Sequence, residues 1–306
     1  MPPLCPACAA PLPARASIRG IDRLHGTPGS FQVLTCTVCG SGRTIPIVRA
    51  DELASFYPAE YGAHRRTVGR PRSPSRLVDR VRSRPSLRRP PLRTLHNRPP
   101  GHLLDVGSGR GDLGVVLRDK GWQVTGIEPS GAACDEARSR GVQTEQGTLE
   151  TVAPRLPGEF GAVVFQHSLE HVVEPADDLL LARALLADGG LLLVSVPNFA
   201  SWESRRFGTN WFHLDLPRHR SHFTPDGLEA LLRRSGFVTL SLETSTSADG
   251  LPMSLQYRLL GRRRLVRGPA LYLAAATAVL LVPLLVAVDR LEQGGDVLHA
   301  AAQKAR

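Results

Sequence analysis

The sequence predicts an α/β protein built on a doubly wound sheet of mostly parallel strands, with helices on both faces. Two observations carry this prediction. From residue 101 to about residue 243, apolar runs of strand length alternate with stretches of helical periodicity. The first apolar run leads directly into a glycine-rich loop at 107–111, which is typical of a tight turn between a buried strand and a helix.

Each element is assigned from its own pattern. Short apolar runs predict strands at 103–106, 123–127, 142–145, 161–166, 190–196 and 237–243. Amphipathic stretches between these runs predict helices near 111–120, 130–140, 175–187 and 225–235. A last stretch, "DVLHAAAQK" at 296–304, predicts a final strand.

Four of the five cysteines form two CxxC pairs, Cys5 with Cys8 and Cys36 with Cys39. Each pair places two thiolates on one tight knuckle, and two knuckles complete the tetrahedron that zinc prefers. The sequence therefore predicts a structural zinc ribbon, with a β-ribbon between the knuckles. The fifth cysteine, Cys134, lies in a predicted helix and is expected to be a small core residue.

The basic character of the chain is local. The formal net charge is +10, yet residues 65–98 hold twelve arginines and one acid, a net +11, so the remainder sums to −1 (+10 minus +11). The excess of positive charge is therefore a property of one linker segment and not of the folded domains. We divide the chain into a zinc ribbon at 1–48, a basic Arg/Pro-rich linker at 49–100 and an α/β domain at 101–306.

The glycine loop indicates a nucleotide site. Gly107, Gly109 and Gly111 let a ligand approach the backbone, and the next helix offers free N–H groups at its N-terminus. The second strand ends in Glu128, where a carboxylate accepts hydrogen bonds from both hydroxyls of a ribose. Asp105 lies on the first strand, where dinucleotide folds usually carry an apolar residue, so it favours a ligand with an ammonium group. The alternative is a loop that serves only a tight turn.

Two long segments resemble one family. "LLDVGSGRGDLGVVLRDKGWQVTGIEPS" resembles the first motif of class I S-adenosylmethionine-dependent methyltransferases. "FGAVVFQHSLEHVVEPADDLLLARALLADGGLLLVSVPN" resembles the fourth strand, the next helix and the fifth strand of the branch that includes ubiquinone-biosynthesis O-methyltransferases. The resemblance covers about residues 101–304. It implies S-adenosyl-L-methionine as cofactor and a Rossmann-like seven-stranded sheet whose last strand is antiparallel, between the fifth and sixth.

The resemblance also implies which residues bind the cofactor. The methionine part is held by the first strand and its loop, that is by Asp105, Gly107, Gly109 and Gly111. The ribose is bound by Glu128, and the adenine is contacted by Pro129, Gly147, Thr148 and Leu149. The site is closed at the end of the fourth strand by Gln166 and His167.

Histidines are the candidates for catalysis, because their ordinary pKa suits a general base near neutral pH. His167 and His171 lie in "QHSLEHV", and His219 and His222 lie in "WFHLDLPRHRSHFTP", a region that forms part of a substrate lid in related proteins. By the resemblance, 167, 170 and 171 occupy the ExxEH motif that can hold a divalent metal, with histidine in place of the first glutamate. The alternative is that Glu170 and His171 only orient the loop.

Residues 269–288 form a run of twenty uncharged residues, long enough to cross a bilayer. A buried helix and a plain single span are the alternatives. A single crossing would separate the strand at 296–304 from its sheet, and Pro283 offers a bend. The sequence therefore predicts an apolar insertion at 262–290 that enters the membrane surface without crossing it, with the arginines of 65–98 adding attraction to anionic lipid.

Together these patterns predict a cytoplasmic methyltransferase, bound peripherally or monotopically to the cytoplasmic membrane, since the N-terminus lacks the apolar core of a secretory signal. No "NPPY" motif is present, which favours carbon or oxygen acceptors over exocyclic amines, with oxygen first. The expected acceptor is small, lipid-linked or glycan-type. One alternative is an RNA methyltransferase, although the basic stretch has no aromatic residue to stack a base. The other is a catalytically degenerate scaffold.

Overall fold

The computed structural model of the chain describes residues 2–48, 52, 54–57, 89–247, 249–262 and 294–305. Most of the linker at 49–100 and nearly all of the apolar insertion at 262–290 lie outside these residues, so the domain boundaries stay predictions. Within the described residues, no helix combines the length and the apolar character that crossing a bilayer requires.

Two sheets organise the described chain. Their strands, in order, are β1 (Ile18–Gly20), β2 (Phe31–Thr35), β3 (Gly42–Ile45), β4 (His102–Val106), β5 (Gln123–Glu128), β6 (Gln143–Gln146), β7 (Phe160–Gln166), β8 (Leu186–Pro197), β9 (Ser221–His222), β10 (Phe237–Ser245) and β11 (Val297–Lys304). The helices are α1 (Asp112–Arg118), α2 (Gly131–Ser139), α3 (Leu149–Val152), α4 (Pro175–Leu185), α5 (Trp202–Phe207), α6 (Pro225–Arg234) and α7 (Gly250–Leu260).

The larger sheet has seven strands in the order β10-β11-β8-β7-β4-β5-β6. Strands β4 to β8 pair in parallel, whereas β11 pairs antiparallel with both β8 and β10. This arrangement confirms the predicted α/β class, the Rossmann-like sheet and the antiparallel last strand between the fifth and sixth. The C-terminal ends of β4, β5 and β7 therefore lie along one edge, where ligands bind in such folds.

The elements that were predicted agree closely with the observed ones except at the start of β8, whereas α3, α5, α7 and β9 were not predicted. Strand β8 begins at Leu186 instead of residue 190, and helix α4 accordingly ends at Leu185. Leu186 pairs with Phe160, and the register then shifts before Leu191 pairs with Ala162. The polar "ADGG" between the two pairs hid this early start from a reading based on apolar runs.

The central strands are apolar on both faces, which is why they form the core. Leu103 and Leu104 are fully buried on opposite faces of β4, and each contributes to a different apolar cluster. Cys134 is buried on α2, as predicted. Burial on both faces leaves only the strand ends open to ligands.

The smaller sheet joins the N-terminal segment to the region between β8 and α6. Its order is β1-β2-β3-β9, so the N-terminal strands continue into a strand from 221–222. A third apolar cluster covers this junction and combines Phe31 and Val33 with Trp211, Leu214 and residues of α7.

Candidate functional site

The glycine loop lies at the C-terminal end of β4. Gly107, Gly109 and Gly111 have φ values of 76°, 53° and 74°, a left-handed conformation that strains other residues. A Cβ on Gly107 would lie 2.5 Å from Cβ of Ser168, whose hydroxyl donates a hydrogen bond to the Val106 carbonyl at 2.6 Å. The loop is thus packed against the residues that follow β7, and a side chain at 107 would separate them.

Asp105 is buried on β4 directly before the loop, with 1% of its surface exposed. Within the described chain, its Oδ2 atom has no hydrogen-bond partner. Burial raises the pKa of this carboxyl to about 7, and the neighbouring Glu128 contributes to the rise. A buried carboxylate without a partner is costly, and an ammonium group from a ligand would relieve that cost.

Glu128 connects the ends of β4 and β5. Its Oε2 atom accepts a hydrogen bond from the backbone N–H of Gly109 at 3.0 Å, and its Oε1 atom accepts one from Ser130 at 2.8 Å. The carboxylate is therefore fixed in the crevice beside the loop. Each oxygen retains a lone pair, so it can still accept hydrogen bonds from ribose hydroxyls.

The residues predicted to contact adenine lie beside Glu128. Glu128 pairs with Gln146 between β5 and β6, and the N–H of Gly147 donates to the Glu128 carbonyl at 3.1 Å. Thr148 caps α3 by exchanging hydrogen bonds with Thr151, and Leu149 is buried in the core. The Thr148 side chain is therefore engaged in capping α3.

Gln166 and His167 lie at the C-terminal end of β7, on the same edge as the loop. His167 has a φ of 54°, an uncommon value for a histidine, and 40% of its side chain is exposed. Its N–H donates to the Ser195 carbonyl on β8 at 2.9 Å. Backbone strain of this kind is frequent at functional sites, where the fold holds a side chain in a required direction.

Glu170 lies beneath His167 and is 1% exposed. One oxygen, Oε1, is 3.5 Å from Nδ1 of His167 and 3.9 Å from Nε2 of His219. Burial alone would raise the pKa of Glu170, but the neighbouring His167, His219 and His171 lower it to about 2. Within the described chain neither oxygen of Glu170 makes a hydrogen bond, so its contact with His167 is a close approach of opposite polarity. Glu170 is therefore an ionised carboxylate that can orient His167.

The other predicted histidines are more enclosed. Nδ1 of His171 lies 3.0 Å from the Tyr57 hydroxyl and 3.1 Å from the Arg218 carbonyl, while Nδ1 of His219 donates to the His213 carbonyl at 2.8 Å. Burial lowers the pKa of His171 to about 4 and also lowers that of His219. Both rings are therefore neutral at physiological pH.

His222 lies on β9 and faces the ribbon. Its Nε2 atom is 2.9 Å from the hydroxyl of Thr44, and its ring stacks near Phe199 with centroids 5.2 Å apart. Burial and the neighbouring His219 lower the pKa of His222 to about 3. The structure thus brings His167, His171 and His219 together around Glu170 and places His222 behind them.

Two residues of this region were not singled out from the sequence. Tyr57 contacts His171 from a segment far away in the chain. His299, on β11, lies between the hydroxyls of Ser195 and Ser245, and Ser195 in turn donates to Gln166. Only the tertiary fold places these residues near the site.

The four ribbon cysteines converge as a zinc site requires. Cys5 and Cys39 have sulfur atoms 3.6 Å apart, as have Cys8 and Cys36, and all four sulfurs lie within 4.8 Å of one another. A tetrahedron with Zn–S bonds of about 2.3 Å has sulfur separations of about 3.8 Å. The N–H of Val38 donates to the Cys36 sulfur at 3.4 Å, which favours a thiolate there. The donor set therefore fits zinc.

A second group of potential metal ligands occurs in the described chain. Glu170, His171 and His219 each offer a ligand atom within 4.8 Å of the others. Its donors, one carboxylate and two imidazoles, suit a transition metal as well as a proton relay.

Comparison with known proteins agrees with this geometry. The family described as methyltransferase domain matches residues 78–242, which is just over half of the chain. The ubiquinone biosynthesis O-methyltransferase of Pseudomonas aeruginosa is 32% identical over 169 residues, covering 51% of this chain and 72% of that protein. The protein of the same description from Aeromonas salmonicida is 29% identical over 169 residues, covering 51% of this chain and 70% of that protein.

Among solved structures, an S-adenosylmethionine-dependent methyltransferase from Archaeoglobus fulgidus aligns with a TM-score of 0.50 at 16% identity. The alignment covers 74% of this chain and 93% of that one. At this identity the similarity describes the fold alone.

Proposed function

The chain belongs to the methyltransferase domain family and is an S-adenosylmethionine-dependent methyltransferase, and from this premise we propose that it methylates a hydroxyl oxygen with His167 as general base. The supporting observation is the His167–Glu170 pair. The exposed imidazole lies at the end of β7, next to the glycine loop, and a buried ionised carboxylate lies 3.5 Å from its Nδ1.

The roles of the two residues follow from this arrangement. Bound S-adenosylmethionine supplies an electrophilic methyl group on a sulfonium. Nε2 of His167 would take the proton of the acceptor hydroxyl, so that its oxygen could receive the methyl group and leave the sulfur as a neutral thioether. Glu170, whose Oε1 atom lies 3.5 Å from Nδ1 of His167, would accept a hydrogen bond from Nδ1–H and stabilise the imidazolium that forms.

We propose the cofactor-binding residues from the family resemblance, and contacts at the ends of β4 and β5 support two of them. Asp105, whose Oδ2 atom has no partner among the described residues, is proposed to pair with the ammonium group of the methionine part. Glu128, fixed by Gly109 and Ser130, accepts the ribose hydroxyls. By the family resemblance, the adenine is proposed to bind beside Gly147, near Pro129 and Leu149.

We further propose that Cys5, Cys8, Cys36 and Cys39 bind one structural zinc ion. The convergence of four sulfurs supports this assignment. Because all four positions around the metal are filled by protein, such a zinc takes no direct part in methyl transfer.

The acceptor that we propose is lipid-linked or glycan-type and is reached at the membrane surface. Two features of the sequence support it, the twenty uncharged residues at 269–288 and the twelve arginines of 65–98. The relatives from Pseudomonas and Aeromonas are described as acting in ubiquinone biosynthesis, which is consistent with an apolar acceptor. Co-sedimentation with anionic vesicles at low salt, and release at high salt, tests the membrane part separately.

The acceptor is tested by incubating the chain with methyl-labelled cofactor and separated lipid, RNA and small-molecule extracts. We expect label in the lipid fraction with the native chain. Label in RNA would instead support nucleic-acid methylation, and a chain that does not bind the cofactor in calorimetry would be a scaffold.

The base is tested with His167→Asn, because asparagine tolerates the left-handed backbone at this position. We expect methyl transfer to fall by about 10²–10⁴-fold while cofactor affinity changes less than about threefold. The matched control is His102→Ala, which removes an exposed histidine at the opposite end of β4. Equal rates for His167→Asn and the native chain would contradict the role of His167.

A further inference from the structure

The N-terminal ribbon shares a sheet with residues 213–224, the segment that carries His219 and His222. β3 pairs antiparallel with β9, so Gly42 lies opposite His222 and Arg43 opposite Ser221. We propose that the ribbon is a positioning element that holds His219 and His222 in place. The order of residues 213–224, on the acceptor side of the site, therefore depends on metal at the four cysteines. The inference rests on the proposed function in two respects, the zinc at the four cysteines and the assignment of these histidines to the acceptor side.

Thr44 makes the closest connection. Its hydroxyl donates to the His219 carbonyl at 2.7 Å, and its backbone N–H donates to the Arg220 carbonyl at 2.9 Å. The same hydroxyl oxygen lies 2.9 Å from Nε2 of His222. Since the hydroxyl proton is used on the His219 carbonyl, Nε2 of His222 must carry its own proton and donate it to Thr44. One ribbon residue thus fixes both a backbone position and a histidine tautomer.

The knuckle formed by Cys36 and Cys39 also contacts this segment, through tightly packed residues. Thr224, two residues after His222, donates through its hydroxyl to the Cys39 carbonyl at 2.5 Å, and its N–H donates to Ser41 at 3.2 Å. A Cβ on Gly227 would lie 1.9 Å from the Ser41 hydroxyl. Displacing the knuckle therefore displaces the start of α6 and the strand before it.

A buried ion pair ties the other side of the segment. Arg218, immediately before His219, donates to Asp22 of the ribbon at 2.7 Å, and both side chains have no exposed surface. The same guanidinium donates to Asp215 and to the Phe56 carbonyl. Removing one member of a fully buried pair leaves an uncompensated charge, so the ribbon and this segment are energetically coupled.

The cofactor crevice is supported by a different set of contacts, between β4 and β5. The N–H groups of Gly107 and Ser108 both donate to the Ile127 carbonyl, and Glu128 holds Gly109. These contacts join β4 to β5 on the central sheet. Loss of order in the ribbon should therefore disturb the histidines before it disturbs the cofactor crevice.

The experiment uses the full chain with and without metal, and its readouts do not require the acceptor. Zinc content is measured first, and a chelator then removes the metal. We expect amide hydrogen exchange at 213–224 to become at least tenfold faster, while the affinity for S-adenosylmethionine changes less than threefold. Unchanged exchange at 213–224 after zinc loss would overturn the proposal, as would simultaneous loss of cofactor binding, because the coupling would then not be confined to the acceptor side.

Three variants test the connection with the metal retained. Thr44→Val removes only the hydroxyl, and we expect faster exchange at 213–224 and altered ring ¹⁵N shifts of His222. Thr44→Ser keeps the hydroxyl and should restore both readouts. Thr35→Val is the matched control, because that hydroxyl bonds to Ser17 within the ribbon. If Thr44→Val behaves like Thr35→Val, Thr44 does not position these histidines.

Failure of this inference and failure of the proposed function give different results. A metal-loaded chain that does not bind S-adenosylmethionine contradicts the assignment of the crevice, whatever the exchange data show. A chain that binds the cofactor and shows no coupling between zinc and residues 213–224 contradicts only the role of the ribbon.

Discussion

Replacing Asp105 by asparagine should remove the pH dependence of cofactor binding below neutrality. The carboxyl is buried, Oδ2 has no partner within the described chain, and its pKa is about 7. Only the ionised form attracts the ammonium group of S-adenosylmethionine. Because the ligand lowers this pKa on binding, association below pH 7 releases a proton and becomes weaker as the pH falls.

The magnitude follows from two ionisations. With a pKa of about 7 for Asp105 and about 7.8 for the α-amino group of the ligand, both partners are charged in about 0.09 of encounters at pH 6.0 and about 0.5 at pH 7.4. The dissociation constant should therefore be about sixfold larger at pH 6.0, which corresponds to about 1 kcal/mol.

Titration calorimetry at the two pH values measures this ratio directly, and buffers of different ionisation enthalpy count the released proton. Asp105→Asn should bind more weakly and show a ratio near one. Asp119→Asn, which alters an exposed acid at the far end of α1, should keep the native ratio. A native chain with equal affinity at both pH values, or an asparagine variant that retains the sixfold change, would refute the reasoning.

Three further predictions follow from charges and contacts in the fold. Without cofactor, Asp105→Asn should raise the free energy of unfolding by about 4 kcal/mol at pH 8 and by less than about 1 kcal/mol at pH 4. A folded-state pKa raised from 3.8 to about 7 makes the native carboxylate costly as the pH rises from about 4 to about 7, and equal gains at both pH values in denaturant titrations would contradict this. Arg218→Met should cost about 3–5 kcal/mol in the same assay by leaving Asp22 buried without its partner, and a cost below about 1 kcal/mol would argue against the ion pair. Cys36→Ser should reduce bound zinc from one ion per chain to a small fraction by atomic absorption, and full retention would exclude the four-cysteine site.

Local patterns were sufficient to predict the sheet and the glycine crevice. Leu103 and Leu104 belong to a run that is apolar on both faces, and such a run can be read as a buried parallel strand without any knowledge of its neighbours. Asp105 and Glu128 follow from the same logic, because each lies at the end of a strand.

Tertiary contacts explain what the sequence could not predict. His219 and His222 have similar neighbours in the sequence, yet the ring of His222, on β9, lies against Thr44. The stretch "PRHRSHFTP" does not predict that this strand pairs with residues near position 42. His299 occurs in an apolar final strand and reaches Gln166 only through Ser195. The predicted insertion at 269–288 lies outside the described residues and stays a prediction.

The position of β11 sets the order in which the protein can be completed during synthesis. β11 separates β8 from β10, so these two strands cannot become neighbours in the finished sheet. A nascent chain that has emerged only as far as β10 therefore carries β8 as an open edge, a surface that invites pairing with other chains. Residues 297–304 close that edge last, which makes the interval before they leave the ribosome the time of greatest exposure to aggregation.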